Sequence, residues 1–194
     1  MTTTTSVTPT DARCTPRMRS LLAGIRADVA RGLPPGDTSA LVGERLAGHL
    51  GATDLLAAAH CEGDPNSYRQ HVLHAEPDGS FSLAALVWLP GQHTPIHDHV
   101  SWCVAGVHRG REHEVRFALL PDDDGARLVV TGEAVNAQGS VSAFAPPGDI
   151  HLVRNPGPGA AISLHVYGAD LARLTTSIRR VYRLPLHRPP LHRR

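Results

Sequence analysis

Three histidines in two short segments have the spacing of a metal site. His97 and His99 end the segment GQHTPIHDH (residues 91–99), and His151 follows the turn-forming run PPGDI (residues 146–150). Residues i and i+2 of an extended strand point to the same face, so the first two imidazoles can contact one ion together. Neutral imidazole is a common ligand for zinc, copper, iron and nickel. The two segments therefore predict a metal centre formed by His97, His99 and His151.

The alternative interpretation is that these are ordinary polar side chains at the mouth of a β-barrel, because the chain has 13 histidines. Glycine and proline frame both segments, however, and three framed histidines rarely arise from composition alone. His93 shares the even spacing of His97, but Pro95 interrupts the strand between them, so a fourth imidazole ligand is not expected. Glu112 and Glu114, just after a glycine turn, are interpreted as surface charges.

The bulk composition is that of one ordinary domain. At 194 residues the chain is long enough for a single hydrophobic core, and its formal net charge of +1 gives no broad basic surface for nucleic acid. No apolar run approaches the length of a membrane span, and the Thr-rich N-terminus lacks the pattern of a secretory signal. Cys14, Cys61 and Cys103 show no pairing pattern, as expected in a reducing cytoplasm. We therefore expect a cytoplasmic protein without nucleic-acid or membrane partners.

Periodicity divides the chain into a helical part and a β-rich part. Apolar residues at helical spacing predict helices over residues 16–30 and 38–50, with a shorter one over 54–60. From residue 68 onward, short apolar runs between turns predict roughly eight to ten strands of an all-β sandwich or barrel, closed by a helix over 169–182. The predicted domains are a disordered N-terminus (1–15), a helical extension (16–66), a β-domain (67–183) and a flexible tail (184–194).

Both histidine segments resemble the two sequence motifs of the cupins, whose fold is a double-stranded β-helix or jelly-roll barrel. The matching residues of the first motif are Gly91, His97, His99, Cys103 and Gly110, and those of the second are Pro146, Gly148, His151 and Asn155. In most cupins a glutamate ligand takes the place of Cys103. A ligand set of three histidines without that carboxylate resembles the site of the thiol dioxygenases of the cysteine dioxygenase family. The similarity to this family extends from about Tyr68 to Asp170.

The resemblance includes the segment Ser163-Leu-His165-Val-Tyr167, because the family has a Ser-x-His-x-Tyr relay beside its iron. On a strand these side chains share one face, so His165 can hydrogen-bond the Tyr167 hydroxyl while Ser163 orients His165. A phenol held in this way can donate to dioxygen or to a substrate group. The alternative is that the alternation merely faces solvent, which the neighbouring cupin motifs disfavour.

The metal implied by this resemblance is Fe(II), held by three imidazoles with up to three positions left open for substrate and dioxygen. A thiol that binds the ion becomes a thiolate, and both oxygen atoms then end on sulfur as a sulfinic acid. Zinc fits the same ligands but cannot do one-electron oxygen chemistry, so iron is the expected metal. The expected partners are accordingly a small thiol and O2.

Three residues bear on the thiol substrate. The cysteine-selective branch of the family binds the substrate carboxylate through an arginine two residues after a strand tyrosine, where this chain has Gln70. Glutamine there resembles the bacterial branch that prefers 3-mercaptopropionate, although a one-residue shift of register would exchange Gln70 with Arg69. That branch also uses an arginine beyond the relay tyrosine. Arg173 is a candidate, but its spacing does not match and a helix-surface charge is the alternative. A larger thiol, such as an ergothioneine-like thiolated histidine, therefore stays open.

Cys103 has two interpretations. Animal cysteine dioxygenases form a thioether between a cysteine near the metal and the relay tyrosine, so Cys103 could cross-link to Tyr167. The segment from His99 to Cys103 is one residue shorter than the animal version, and free cysteine is commonly a small buried apolar residue. A packing role and a cross-link both stay open.

We therefore predict a single cupin domain with N-terminal helices, acting as an Fe(II)-dependent thiol dioxygenase on 3-mercaptopropionate, cysteine or a similar thiol. Two other functions stay open, a non-oxidative cupin enzyme that uses Zn or Mn and a small-molecule-binding cupin sensor. The Ser-x-His-x-Tyr relay argues against the first, and the sequence has no recognisable DNA-binding segment to support the second. A monomer or a homodimer is expected, because many cupins dimerise.

Overall fold

The computed structural model describes residues 5–7, 14–122, 125–174 and 176–187 of the chain. Within that part, a short strand and two helices precede a series of strands. The longest described helix has 14 residues, whereas a membrane-spanning helix needs about 20 apolar residues. None of the described helices is long and apolar enough to cross a membrane.

Two helices, α1 (Pro16–Val29) and α2 (Pro35–Ala47), form the predicted helical part, followed by a short 3-10 helix (Ala58–Cys61). Thr15 caps α1, because its hydroxyl accepts a hydrogen bond from the Met18 amide at 3.1 Å. Helix α2 begins earlier than predicted, at a proline, which is favoured in the first turn of a helix because it needs no N–H partner there. The third predicted helix is a single 3-10 turn.

The described residues also form twelve strands in two six-stranded sheets. These strands are β1 (Thr5–Val7), β2 (Arg69–Ala75), β3 (Ser82–Trp88), β4 (His97–His99), β5 (Cys103–Arg109), β6 (Arg111–Asp122), β7 (Gly125–Ala137), β8 (Val141–Phe144), β9 (His151–Arg154), β10 (Ala161–Tyr167), β11 (Ile178–Val181) and β12 (Leu186–His187). Sheet A has the order β1-β2-β3-β10-β5-β8, and sheet B has the order β11-β4-β9-β6-β7-β12. The mainly β cupin fold with N-terminal helices, predicted from the sequence, is confirmed.

Strand β10 illustrates how the fold separates its structural face from its chemical face. Leu164 belongs to the same buried apolar cluster as Leu46 of α2, so the helices cover the outer face of sheet A. Successive side chains of a strand alternate between faces. Ser163, His165 and Tyr167 therefore point into the space between the two sheets, where all three are buried.

The closing helix predicted over residues 169–182 is wrong. Asp170 Oδ1 accepts a hydrogen bond from the Ala172 amide at 2.8 Å and forms a turn. The chain then continues as β11 and pairs with β4, with Ile178 opposite His99. β-Branched Ile178 and Val181 favour a strand, and the backbone pairing with β4 stabilises it.

Both ends of the described chain contribute strands that the sequence does not predict. Strand β1, within the N-terminal segment predicted to be disordered, lies parallel to β2. Strand β12 lies near the start of the predicted flexible tail and is parallel to β7. The remainder of these two predictions, residues 1–4, 8–13 and 188–194, lies outside the described residues.

Candidate metal centre

The structure brings the three predicted histidine ligands together in one buried cluster. His97 and His99 lie on β4, and His151 begins β9, directly opposite His97 in the antiparallel pair. One potential ligand atom from each lies within 4.8 Å of the others. The turns before the two segments contain Gly91 and Gly148, with φ of +78° and +101°. Glycine adopts this conformation without the steric cost of a side chain.

Two of the three imidazoles are held from behind by buried carboxylates. Asp149 Oδ2 lies 3.0 Å from His99 Nδ1 and also accepts a hydrogen bond from the His99 amide at 3.0 Å. Glu114 Oε1 lies 2.9 Å from His151 Nδ1. Carboxylates in this position fix the tautomer and orientation of a metal-binding imidazole and increase its basicity.

His97 is held in a similar way by the carbonyl oxygen of Pro95, 3.0 Å from its Nδ1 atom. A carbonyl oxygen only accepts, so Nδ1 carries the hydrogen and the lone pair is on Nε2. Since Nδ1 is engaged in all three rings, the Nε2 atoms are the ones available to an ion. The residues present therefore fit a metal bound by three imidazoles, as in non-haem iron and catalytic zinc sites.

The electrostatics of the cluster favour neutral rings. Burial and the neighbouring His151 and His99 rings lower the pKa of His97 well below its ordinary value. Burial likewise lowers the pKa of His151. Burial alone would raise the pKa of Glu114, but hydrogen bonds from His151 and Arg116 lower it to about 2. A neutral imidazole beside an ionised carboxylate is the form that binds a metal.

The interpretation of Glu112 and Glu114 as surface charges is wrong. Both lie on β6 with only 3% and 2% of the residue exposed. They are two residues apart on a strand and therefore share its inner face. The same spacing that singles out His97 and His99 was present here in the sequence. Asp149 was likewise visible beside His151, but nothing in the sequence indicated that it holds His99.

Ser163, His165 and Tyr167 form a hydrogen-bonded chain on the inner face of β10. Ser163 Oγ lies 2.9 Å from His165 Nε2, and the Tyr167 hydroxyl lies 3.2 Å from His165 Nδ1. The Trp88 indole donates to Ser163 Oγ at 3.0 Å. The centroids of the Tyr167 and His99 rings are 6.1 Å apart, so the chain ends beside the histidine cluster.

A single pocket joins the histidine cluster to the end of this chain. Tyr167 and His165 line it together with the three clustered histidines. Gln70 and Ser177 add hydrogen-bonding groups to its wall, and Ile178 adds apolar surface. Gln70 thus lines the pocket, and its predicted contact with substrate stays a prediction.

Neither arginine predicted to bind substrate lines this pocket. Arg69 precedes Gln70 on β2, so it points to the other face, where its Nη1 atom lies 4.0 Å from Glu62 Oε2. Arg173 pairs with Asp170, and 79% of its side chain is exposed. The structure therefore does not bring Arg69 or Arg173 together with the histidine cluster.

Three further residues of the two motifs have defined positions. Cys103 is buried and directly opposite Tyr167 across the β5–β10 pair. His93 is exposed and outside the metal cluster, as expected. Asp98 turns away from the cluster between its two neighbouring histidines, and its Oδ2 atom accepts a hydrogen bond from the Tyr182 hydroxyl at 2.8 Å.

The fold and the histidine cluster together define a cupin with the ligand set of a metalloprotein. A family model described as cysteine dioxygenase type I matches residues 55–178, which is more than half of the 194-residue chain. The chain belongs to the cysteine dioxygenase type I family. The matched segment contains both histidine segments and the Ser163–Tyr167 chain.

Solved structures of similar proteins include three from bacteria. The TT1209 protein of Thermus thermophilus is 23% identical with a TM-score of 0.43, over 57% of this chain and 91% of that one. A conserved protein with a double-stranded β-helix domain from Klebsiella pneumoniae is 14% identical with a TM-score of 0.46, over 61% and 92%. A Cupin 2 conserved barrel domain protein from Salinispora arenicola is 23% identical with a TM-score of 0.41, over 60% and 87%.

Proposed function

We propose that this protein is an Fe(II)-dependent thiol dioxygenase that converts a small thiol to its sulfinic acid. The observation that carries the proposal is the pocket shared by two groups, the three clustered imidazoles, whose Nδ1 atoms are already engaged, and the hydroxyl of Tyr167. A non-oxidative zinc or manganese cupin enzyme has no evident need for a buried hydrogen-bonded tyrosine beside its metal ligands. Membership of the cysteine dioxygenase type I family supports the same reaction class.

His97, His99 and His151 would hold the iron on one side, leaving the pocket side open to substrate. When bound, ferrous iron supplies the redox chemistry that joins dioxygen to a thiolate sulfur. Tyr167 presents a neutral hydroxyl to the same pocket, because burial raises the pKa of this phenol well above its ordinary value. A protonated phenol can donate a hydrogen bond or a proton to the reacting groups.

The pocket also bears on the substrate class. Among the described residues that line it, none is lysine or arginine, and its polar wall is formed by neutral groups such as Gln70, Thr176 and Ser177. A substrate carboxylate would therefore be held by neutral donors such as the Gln70 amide. We propose 3-mercaptopropionate, cysteine or a similar small thiol as substrate, because Gln70 resembles the glutamine of the bacterial branch. The same neutral wall also suits a larger thiol with an internally balanced charge, such as a thiolated histidine.

Oxygen uptake by Fe(II)-loaded protein tests the proposal. The thiol panel contains 3-mercaptopropionate, cysteine, cysteamine and a thiolated histidine, and mass spectrometry identifies the product. We expect thiol-dependent uptake with formation of a sulfinate, and Tyr167→Phe should lower kcat by about 10²-fold or more. A protein that holds iron but consumes no oxygen with any thiol would contradict the proposal and favour a cupin with another activity, or a binding protein.

A further inference from the structure

One buried carboxyl group lies beside the Ser163–Tyr167 chain and holds none of the metal ligands. Glu112 is on β6, and its side chain faces the interior between the two sheets. Its Oε1 atom has no hydrogen-bond partner in the part of the chain that the structure describes. An incompletely paired buried carboxyl group costs free energy, so its presence calls for an explanation.

The neighbours of Glu112 connect it to the relay. The Ser163 hydroxyl and the Trp88 indole are the neighbouring groups that lower the pKa of the Glu112 carboxyl group. Ser163 Oγ lies 2.9 Å from His165 Nε2, and His165 Nδ1 lies 3.2 Å from the hydroxyl of Tyr167. Glu112 therefore lies next to the Ser163 end of a hydrogen-bonded chain that leads to the pocket.

We propose that Glu112 is the proton-holding end of this chain, and that its ionisation sets the direction of each hydrogen bond as far as Tyr167. Glu112 is a positioning residue, because it contacts neither the pocket nor the metal ligands. The delivery of a proton to the substrate pocket rests on the proposed function. The dependence of the His165 tautomer on the ionisation of Glu112 is independent of that function, because it can be measured without turnover.

The directions follow from the hydrogen-bonding capacity of each group. When Glu112 is protonated, it donates to Ser163, and Ser163 in turn donates to His165 Nε2. His165 then carries its hydrogen on Nδ1 and donates it to the Tyr167 oxygen. The Tyr167 O–H is consequently free to donate into the pocket.

When the Tyr167 O–H gives its proton to a group in the pocket, the direction of every hydrogen bond in the chain reverses. No residue of the relay becomes charged. The Tyr167 proton goes to a basic atom in the pocket, and His165 Nδ1–H replaces it on the phenol. Ser163 then protonates His165 Nε2 and receives the proton of Glu112. One O–H bond at Glu112 is broken, one bond to hydrogen forms in the pocket, and no electrons are transferred. The three relay residues end neutral, with the Tyr167 O–H directed at His165.

The surroundings of the chain suit this mechanism. Burial raises the pKa of Glu112 to about 7, with the Ser163 hydrogen bond opposing and the nearby carboxylate of Glu114 adding to the rise. Burial lowers the pKa of His165 to about 3, so a charged imidazolium is disfavoured and a neutral relay is required.

The groups that face Glu112 are mostly uncharged. Ser163 of β10 and Trp88 of β3 are neutral partners from sheet A. Asn136 is the residue opposite it on β7. Glu114, on the same strand, is the charged group that acts on it. Glu112 can therefore be either protonated or ionised near neutral pH.

Nitrogen NMR of ¹⁵N-histidine-labelled protein loaded with Zn(II) tests the coupling. Zinc is diamagnetic and without redox activity, and it prevents the three ligand histidines from titrating. The His165 signals are assigned by comparison with His165→Gln. We expect the His165 hydrogen to move from Nδ1 to Nε2 as the pH rises through about 7.

Glu112→Gln has nearly the same shape but cannot release a proton. In this variant we expect one His165 tautomer at every pH. The control variant Glu44→Gln, on the exposed face of α2, should behave like the wild-type protein. The proposal would be overturned if the His165 tautomer of the wild-type protein did not depend on pH. It would also be overturned if the tautomer of Glu112→Gln changed with pH as in the wild-type protein.

Turnover provides a second, separate readout. We expect Glu112→Gln to lower kcat by about 10-fold or more with KM within about twofold, and to remove the ionisation near neutrality from the pH profile of kcat. If Glu112→Gln left the pH profile of kcat unchanged, Glu112 would not be the source of the proton that is delivered to the pocket. Failure of thiol turnover in the unchanged protein would refute the proposed function, while the NMR result would stand by itself.

Discussion

Cys103 and Tyr167 are directly opposed across the antiparallel pair of β5 and β10. Both belong to the same buried cluster between the sheets. Directly opposed residues have Cβ atoms about 4.5–5.5 Å apart on a shared face, so the Cys103 thiol lies beside the Tyr167 ring. Burial raises the pKa of this thiol well above its ordinary value, so it remains protonated and unreactive by itself.

We predict that a thioether between Cys103 and Tyr167 forms only during turnover with iron, oxygen and thiol. Its formation removes one hydrogen from sulfur and one from the ring, with dioxygen as the oxidant. Intact-protein mass spectrometry should detect the loss of two hydrogen atoms in a fraction of the molecules. Cys103→Ser should never show this species. An unchanged mass after many turnovers would leave Cys103 with a packing role alone.

His97→Ala should abolish metal binding while the β-sheets remain folded. Only one of the three imidazoles is lost, but the remaining two cannot hold the ion on one side of the pocket. Elemental analysis gives the bound metal, and circular dichroism reports the fold. His93→Ala removes an exposed histidine four residues earlier and should leave metal content unchanged. Full metal content in His97→Ala would exclude the ligand assignment.

The two carboxylates behind the ligands should tune metal affinity. Asp149→Asn and Glu114→Gln each weaken the acceptor that holds a ligand imidazole, at His99 and His151 respectively. We expect each change to weaken metal binding by about 10- to 100-fold. Competition with a chelator measures this loss, and Glu44→Gln serves as the surface control. Equal affinities in all variants would show that the carboxylates only pack against the ligands.

The buried position of Glu112 predicts a pH-dependent effect on stability. Its pKa is raised from 4.5 to about 7, so the folded state binds this proton more tightly than the unfolded state. This contribution is complete below pH of about 4.5 and is lost as the pH rises to about 7, a change of about 3 kcal/mol.

Urea unfolding of the metal-free Glu112→Gln variant and of the metal-free wild-type protein across this pH range measures the contribution of Glu112 to stability. The variant should gain stability relative to the unchanged protein as the pH rises, because it holds no buried charge. Parallel stability profiles would show that Glu112 ionises with its ordinary pKa.

The segment of β11 that lines the pocket is held by the buried carboxylate of Asp98. Tyr182 donates to Asp98 Oδ2 at 2.8 Å, and Arg179 forms an ion pair with the same oxygen. Tyr182→Phe removes a donor from a buried charge and should lower the free energy of unfolding by about 1–3 kcal/mol. Thermal unfolding measures the change, with exposed Arg183→Gln as the control. Equal stability of both variants would contradict this account.

Much of the fold and of the metal centre could be predicted from local patterns. Residues two apart on any regular strand share a face, so the proximity of His97 and His99 could be predicted. The two helices could be predicted because their apolar residues recur at helical spacing. The strand β11 could not be found in this way, because it exists through pairing with β4. Its own residues carry an ambiguous pattern.

The groups that support the site were harder to predict than the ligands. Glu112 and Glu114 are charged residues, and charged residues are almost never buried without partners. Their partners, Ser163 and His151, lie far away in the sequence on other strands. Only the folded chain shows that Glu112 and Glu114 face inward and that Glu114 supports His151.

The most direct test of the central claim is the fate of labelled dioxygen. Fe(II)-loaded protein is given its preferred thiol under ¹⁸O₂, and the product is weighed by mass spectrometry. A thiol dioxygenase predicts a sulfinic acid in which both added oxygen atoms carry the label. A product with label in neither position, or a thiol that returns unchanged while iron remains bound, would contradict the assignment.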